Sequence, residues 1–257
     1  MDLSASFDTV AELYNANRRG YPAPLYADLA AITGLGRQDA ILEIGCGSGQ
    51  ATRGLVDLTD DVLALDPGAQ LLNLARRRLS GQPGVEYANC SFEDWSLIEG
   101  RFRLVVSAQA WHWLDPRIAY EKAAAALVPD GWLAIFGHVP MPPTGQIGED
   151  LRVAHARYAP PGYDGPSPES WYLPTGPVAG LITASALFGP VIHRGYGFQV
   201  DHSPQSLIAH CATISYYTVL PTVQRDALFD ALAQVVADHG GRYQLTYQTH
   251  LYLAPLL

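Results

Sequence analysis

Cysteine is scarce. The three residues, Cys46, Cys90 and Cys211, are odd in number and far apart, so they build neither a disulfide framework nor a paired-cysteine zinc site. A reducing cytoplasm is the expected compartment, and no metal site is expected. Long apolar runs are missing as well. The longest stretches, such as 123–128, fall far short of the roughly 20 residues that span a bilayer, which argues against a membrane protein. The opening MDLSASFDTV has neither a basic region nor an apolar one and does not read as a secretory leader. Basic residues are few: 16 Lys and Arg stand against 25 Asp and Glu, a net charge of −9. Such a balance repels a nucleic-acid duplex or an anionic membrane. The only run of three basic residues, Arg76-Arg77-Arg78, points to different faces of a helix and reads as solvated surface. Internal repeats and low-complexity tracts are absent.

What is present is a globular chain of 257 residues, 48% hydrophobic, with a mean hydropathy of +0.03. That length can bury a full core without staples. From Asp39 onward, short apolar runs alternate with helical stretches. Strands are predicted at 40–44, 62–65, 85–88, 102–107 and 131–136, with helices at 50–58, 69–79 and 116–127. This alternation predicts a parallel sheet covered on both faces. Between Gly137 and Gly180 lie nine of the nineteen prolines, and the segment reads as a lid. Strands near 191–198 and 243–253 and helices at 204–220 and 223–238 follow, with Gly240-Gly241 as a stop signal. The expected division is 1–36 as an N-terminal helical cap, 37–139 as a Rossmann-like core, 140–185 as an acceptor-binding lid and 186–257 as the remaining sheet and helices.

The chemistry concentrates in Leu42-Glu43-Ile44-Gly45-Cys46-Gly47-Ser48-Gly49-Gln50. Three alternate glycines between a strand and a helix let backbone approach a ligand. A dinucleotide fingerprint wants Gly or Ala where Gln50 stands, and Glu43, two residues before Gly45, would repel a pyrophosphate. The same carboxylate suits the ammonium or sulfonium of S-adenosylmethionine. Asp66, before Pro67 and 21 residues after Gly45, can accept from two ribose hydroxyls or act as a turn residue. After the third strand, Phe92 could stack on an adenine and Glu93 or Asp94 could meet its amine, or the turn is simply acidic and solvated.

These motifs, with Ala64-Leu65-Asp66-Pro67 and residues 107–115 (SAQAWHWLD), resemble the class I S-adenosylmethionine-dependent methyltransferases, and more closely the type 11 group that includes trans-aconitate methyltransferase-like proteins. The likeness covers nearly the whole chain apart from the proline-rich segment, with Phe7, Tyr14, Arg18 and Tyr21-Pro22 matching an N-terminal pattern. It implies a Rossmann-like seven-stranded, mostly parallel α/β sheet with the last strand antiparallel, and an N-terminal helix over the cofactor. Tyr14 and Arg18 would then hold the methionine carboxylate, although the subgroup has proline where this chain has Arg19. Gly45, Cys46, Gly47, Gly49, Asp66, Pro67 and Gln109 would line S-adenosylmethionine or its product S-adenosylhomocysteine.

His112 and His138, after the fourth and fifth strands, are the candidate bases, or else packed structural histidines. A base is needed only if the nucleophile starts protonated. Tyr158, Trp171, Tyr172, Tyr196, Tyr216 and Tyr217 suit an aromatic acceptor, whereas a small carboxylate would need Arg152, Arg157 or Arg194. The expected activity is methyl transfer to a small molecule, with oxygen marginally ahead of nitrogen or carbon. The alternatives are non-methylating chemistry, such as cyclisation, on the same cofactor, a silent scaffold that binds it, and, more distantly, an NAD oxidoreductase. Nucleic acid and membrane are not expected partners, and the oligomeric state is unread.

Overall fold

The computed structural model describes residues 20–158, 168–214, 217 and 220–257; Tyr14, Arg18 and Tyr216 lie outside them. By their contacts these residues form two compact units. One is built from 20–139, 168–196 and 249–257, the other from 140–158 and 197–248.

The first unit begins with helix α1 (Ala23–Thr33), opened by Pro22 and stopped by Gly34 in the left-handed conformation. Arg103 caps its end through a 2.8 Å bond to the Thr33 carbonyl. Strands β1 (Ala40–Ile44), β2 (Asp61–Leu65), β3 (Val85–Ala88) and β4 (Phe102–Ala108) follow, with helices α2 (Thr52–Leu55) and α3 (Ala69–Arg78) between them. Helix α4 (Pro116–Ala126) starts on Asp115, whose carboxylate accepts from the Arg117 amide, and leads into β5 (Leu127–Pro140). Alternation along these strands sends Leu42, Ile44, Leu63, Val105 and Ile135 to one core and Ile41, Val62, Leu104, Val106 and Phe136 to the other. A parallel strand buried on both faces has to read as a nearly continuous apolar run, and these do. The first unit also contains helix α5 (Val178–Ala184), preceded by a 3-10 turn at Pro168–Tyr172.

The sheet has seven strands in the order β3-β2-β1-β4-β5-β7-β6, with β6 at Ile192–His202 and β7 at Tyr243–Pro255. Strands β1 to β5 pair in parallel. Strand β7 runs against β5: the Leu256 amide bonds to Gly131 at one end and the Met141 amide to Thr246 at the other. The seven-stranded, mostly parallel α/β sheet is therefore as expected.

The second unit has its own core. Helices α6 (Gly145–Tyr158), α7 (Pro204–Cys211) and α8 (Thr222–Asp238) contribute Leu151, Leu207, Leu228 and Leu232 to it, joined by Tyr243, Leu245 and Tyr247 of β7. Ser203 opens α7 with a capping box shared with Ser206. Helix α7 ends at Cys211, earlier than the expected 220. Helix α2 is likewise shorter than 50–58, because the turns before it belong to the glycine loop. Within 140–158 the chain is helical despite its neighbouring prolines, since Ile147, Leu151, Ala154 and Tyr158 recur on one face and pack into the core. Among the described residues, no helix is long and apolar enough to cross a membrane.

Candidate functional site

The strand register fixes where the chemistry gathers. Ile44 lies beside Leu65 and Ser107, and Ser107 beside Ile135. The segments that follow these residues therefore emerge at one edge of the sheet, the carboxyl edge where open α/β sheets take ligands. They carry Gly45–Gly49, Asp66, Gln109–His112 and His138.

The three glycines of the loop hold a backbone that disfavours any other residue. Gly45, Gly47 and Gly49 have φ of 71°, 55° and 83°, the region that glycine alone enters cheaply. A Cβ on Gly45 would stand 2.3 Å from the Ala110 Cβ, and one on Gly49 3.3 Å from the Ala75 Cβ. One loop amide faces a carboxylate: the Gly47 N–H donates to Asp66 Oδ2 at 2.8 Å, while the Gly68 N–H, two residues after Asp66, donates to Oδ1 at 2.8 Å. Asn89 supports this turn by donating to the carbonyls of Asp66 and Pro67 at 3.0 and 2.9 Å. Asn89 is not among the residues expected from sequence, although a polar amide directly after the third strand is the available signal. Cys46 is buried against Ala64 and Leu72, and burial pushes its thiol pKa well up, so it is a neutral packing group.

Glu43 is the anomaly. It is wholly buried in β1, and neither carboxylate oxygen has a hydrogen-bond partner of good geometry. Burial lifts its pKa to about 7; the adjacent Thr52 draws it down in part and the Asp66 charge raises it further. Gln50 Nε2 and Thr52 Oγ1, also buried, lack partners of good geometry as well. Orphaned buried polar atoms are costly unless something completes them. A ligand with positive charge and hydroxyl groups fits this set: an unpaired carboxylate, a second carboxylate on loop amides, and backbone that no Cβ obstructs.

Other predicted residues have different surroundings. Phe92 is almost fully buried and stacks on Trp95 with centroids 6.0 Å apart. Glu93 accepts from the Asp115 amide at 3.0 Å. Lys122 donates to the carbonyls of Glu93 and Trp95, which ties this turn to α4. Gln109 holds a left-handed φ of 59°. Its side-chain amide makes two bonds to the backbone of His138, accepting from N–H at 2.7 Å and donating to C=O at 3.4 Å. Strained backbone persists only where its surroundings over-determine it, and this clamp does so.

The two histidines are separately anchored. His112, in the 3-10 turn Trp111–Trp113, has Nδ1 3.0 Å from the hydroxyl of Tyr172, and burial lowers its pKa to about 4. Tyr172 is itself fully buried; its ring occupies the space that a side chain on Gly137 would need, and Tyr252 bonds to its carbonyl at 2.9 Å. His138 stacks on Tyr21 at 4.3 Å and meets Thr249 Oγ1 at 2.8 Å. Nothing local in the sequence announces the pairings with Tyr172 and Thr249. The arginines considered for a carboxylate clamp are engaged elsewhere: Arg152 with Glu149, Arg157 over the Tyr158 ring and Arg194 with the His193 carbonyl. Among the described residues, no group of three or more His, Cys, Asp or Glu could hold a metal ion.

Comparison with known proteins finds methyltransferases. Residues 42–135 match the model of a methyltransferase domain. An uncharacterized methyltransferase of Mycobacterium tuberculosis is 28% identical over 238 residues, 93% of this chain and 88% of its own. A malonyl-[acyl-carrier protein] O-methyltransferase of Acetivibrio thermocellus is 33% identical over 104 residues, 38% of this chain and 36% of its own. A solved structure from Anaeromyxobacter dehalogenans, assigned as a type II methyltransferase, shares the fold with a TM-score of 0.66 at 20% identity, covering 93% of this chain and 98% of that one.

Proposed function

We propose that the chain is a class I S-adenosylmethionine-dependent methyltransferase, as its methyltransferase-domain match and relatives support, and that it methylates a small molecule, at oxygen ahead of nitrogen or carbon. The observation that carries the cofactor assignment is Glu43, a buried carboxylate with no hydrogen-bond partner of good geometry, beside a glycine loop whose amide bonds to Asp66. When bound, S-adenosylmethionine supplies an electrophilic methyl group on a sulfonium. Glu43, Gly45, Cys46, Gly47, Gly49, Asp66 and Pro67 would hold it: the acidic groups by charge and hydroxyl recognition, the glycines by leaving the approach open. Tyr14 and Arg18 are the proposed grip on its carboxylate, because an arginine offers a forked, charge-assisted contact.

An in-line displacement asks the protein mainly for alignment and exclusion of water. The clamp between Gln109 and the His138 backbone holds the ends of β4 and β5 in fixed register for that purpose. His112 is neutral at physiological pH because burial depresses its pKa. With Nδ1–H donating to Tyr172, Nε2 is the atom that takes the proton of an acceptor hydroxyl. His138, fixed by Tyr21 and Thr249, is the second candidate for that role. Preference for oxygen is supported by the Acetivibrio relative, an O-methyltransferase by name.

Parallel calorimetric titrations with S-adenosylmethionine, S-adenosylhomocysteine and NAD test the cofactor reading. Micromolar binding of the first two and none of NAD is expected, and Asp66→Ala should weaken both by about ten-fold or more, since a charge-assisted bond is worth ~1.5–3 kcal/mol. Binding of NAD alone would overturn the reading. His112→Ala should slow turnover by roughly 100-fold with cofactor affinity nearly intact; wild-type turnover would leave alignment alone as the source of catalysis.

A further inference from the structure

The second unit contains a cavity of about 420 Å³, within the size range of small-molecule sites. None of the glycine-loop residues, Asp66, His112 or His138 lines it. Its walls are Leu151 of α6, Leu207 of α7, Leu232 of α8 and Leu245 of β7, with Ile214 and Met141 from the connecting segments. Regular elements therefore carry most of its wall, the arrangement that keeps a binding site preformed.

We propose that this cavity is a binding site for a neutral aromatic small molecule, because its polar groups are paired with one another and its rings are presented together. Tyr217 bonds to His155 Nε2 at 3.1 Å and Tyr247 to His210 Nε2 at 2.8 Å. All four of these side chains line the cavity, as does Tyr243. Five rings on one wall system favour a flat, polarizable ligand through offset or edge contacts, and the thioether of Met141 adapts to irregular ring edges. Tyr247 is itself fixed by stacking on Phe198, with centroids 5.2 Å apart and planes within 11°.

Charge is excluded by the same inventory. The one cationic side chain of the lining that is charged at all ordinary pH, Arg152, is held by Glu149 with bonds of 3.0 and 2.5 Å. Burial keeps His155 neutral and pushes the Cys211 thiol up to about 11. An anionic ligand would have to surrender its hydration for a wall without an available counter-charge, which is unfavourable. The site goes beyond methyl transfer and does not depend on it, so cofactor titration and ligand titration can fail independently.

Fluorescence titration of the full chain with N-phenyl-1-naphthylamine, followed by displacement with 2-naphthol and with 1-naphthoate, tests the proposal. Saturable 1:1 binding, displaced by 2-naphthol at concentrations at least ten-fold lower than by 1-naphthoate, is expected. Ile214→Trp and Met141→Trp, both at half-buried positions, should each weaken the probe at least ten-fold with an unchanged circular dichroism spectrum. Asp66→Ala should leave probe binding unchanged. Glu149→Gln, which releases Arg152, should improve 1-naphthoate several-fold and leave 2-naphthol unaffected. Absence of saturable binding, equal displacement by the two competitors, or indifference to both tryptophan variants would overturn the proposal.

Discussion

The glycine-loop site of the first unit and the cavity of the second treat buried polar groups in opposite ways. At the carboxyl edge of the parallel strands, Glu43 is fully buried with no hydrogen-bond partner of good geometry, and the backbone around it is left-handed at Gly45, Gly47, Gly49 and Gln109. Around the cavity of the second unit, tyrosines bond to histidines, Arg152 bonds to Glu149, and none of the lining residues has a left-handed backbone. The contrast teaches a rule for this protein. On the proposed assignments, unfinished charge and strained backbone mark the place for a charged ligand, whereas mutually satisfied polar pairs mark the place for a neutral one.

The largest effect should come from closing the strained loop. Gly45→Ala sets a Cβ against Ala110 at a φ of 71°. The left-handed conformation costs ~1–2 kcal/mol and overpacking a further ~1–3 kcal/mol, so thermal unfolding should show a loss of about 2–5 kcal/mol. Gly240→Ala, with φ 90° but nothing within 4 Å, should lose only the conformational part. Equal losses at the two sites would show that loop closeness carries no energy.

Glu43→Gln sharpens the comparison through pH. The folded-state pKa of Glu43 is about 7 against an ordinary 4.5, so the folded state holds the proton that the unfolded chain releases in between. Stability from this group therefore falls as pH rises from 4.5 through 7, by about 3 kcal/mol in all at ~1.4 kcal/mol per pKa unit. In urea unfolding without cofactor, the variant should exceed wild type by roughly that amount at pH 8, and the difference should vanish toward pH 4.5. It should also bind S-adenosylmethionine more weakly. A stability difference independent of pH would break the contrast between the units.

The smallest effect belongs to the satisfied side. Tyr217→Phe leaves His155 without its partner and should cost ~1–3 kcal/mol, whereas Tyr217→Phe combined with His155→Leu should recover most of the loss. A double variant no more stable than the single one would mean that the pair is not a self-contained unit.

Much of the sheet was legible before any coordinates. The limits of β1 and β3 coincide with the predicted ones and β2 differs by one residue, because each is a short, mostly apolar run closed at its far end by turn or polar residues. The glycine loop was legible for a related reason: alternate glycines after a strand have few purely structural uses. Helix α6 was not, since prolines on both sides of it masked the recurrence of Ile147, Leu151 and Ala154. Phe92 reads in sequence as a residue free to stack on a ligand, but Trp95 and Lys122 enclose it.

The amino-acid order by itself determined the strand-helix alternation, the glycine loop and the acidic residues beside it, since all of these are set by neighbours a few positions apart. Only the tertiary structure decided the partners of the two histidines, 60 residues away for His112 and 111 for His138, and the meeting of α6, α7, α8 and β7 around one cavity. Such contacts are selected by packing and by the cost of leaving buried polar groups unpaired, and neither quantity exists until the whole chain has folded.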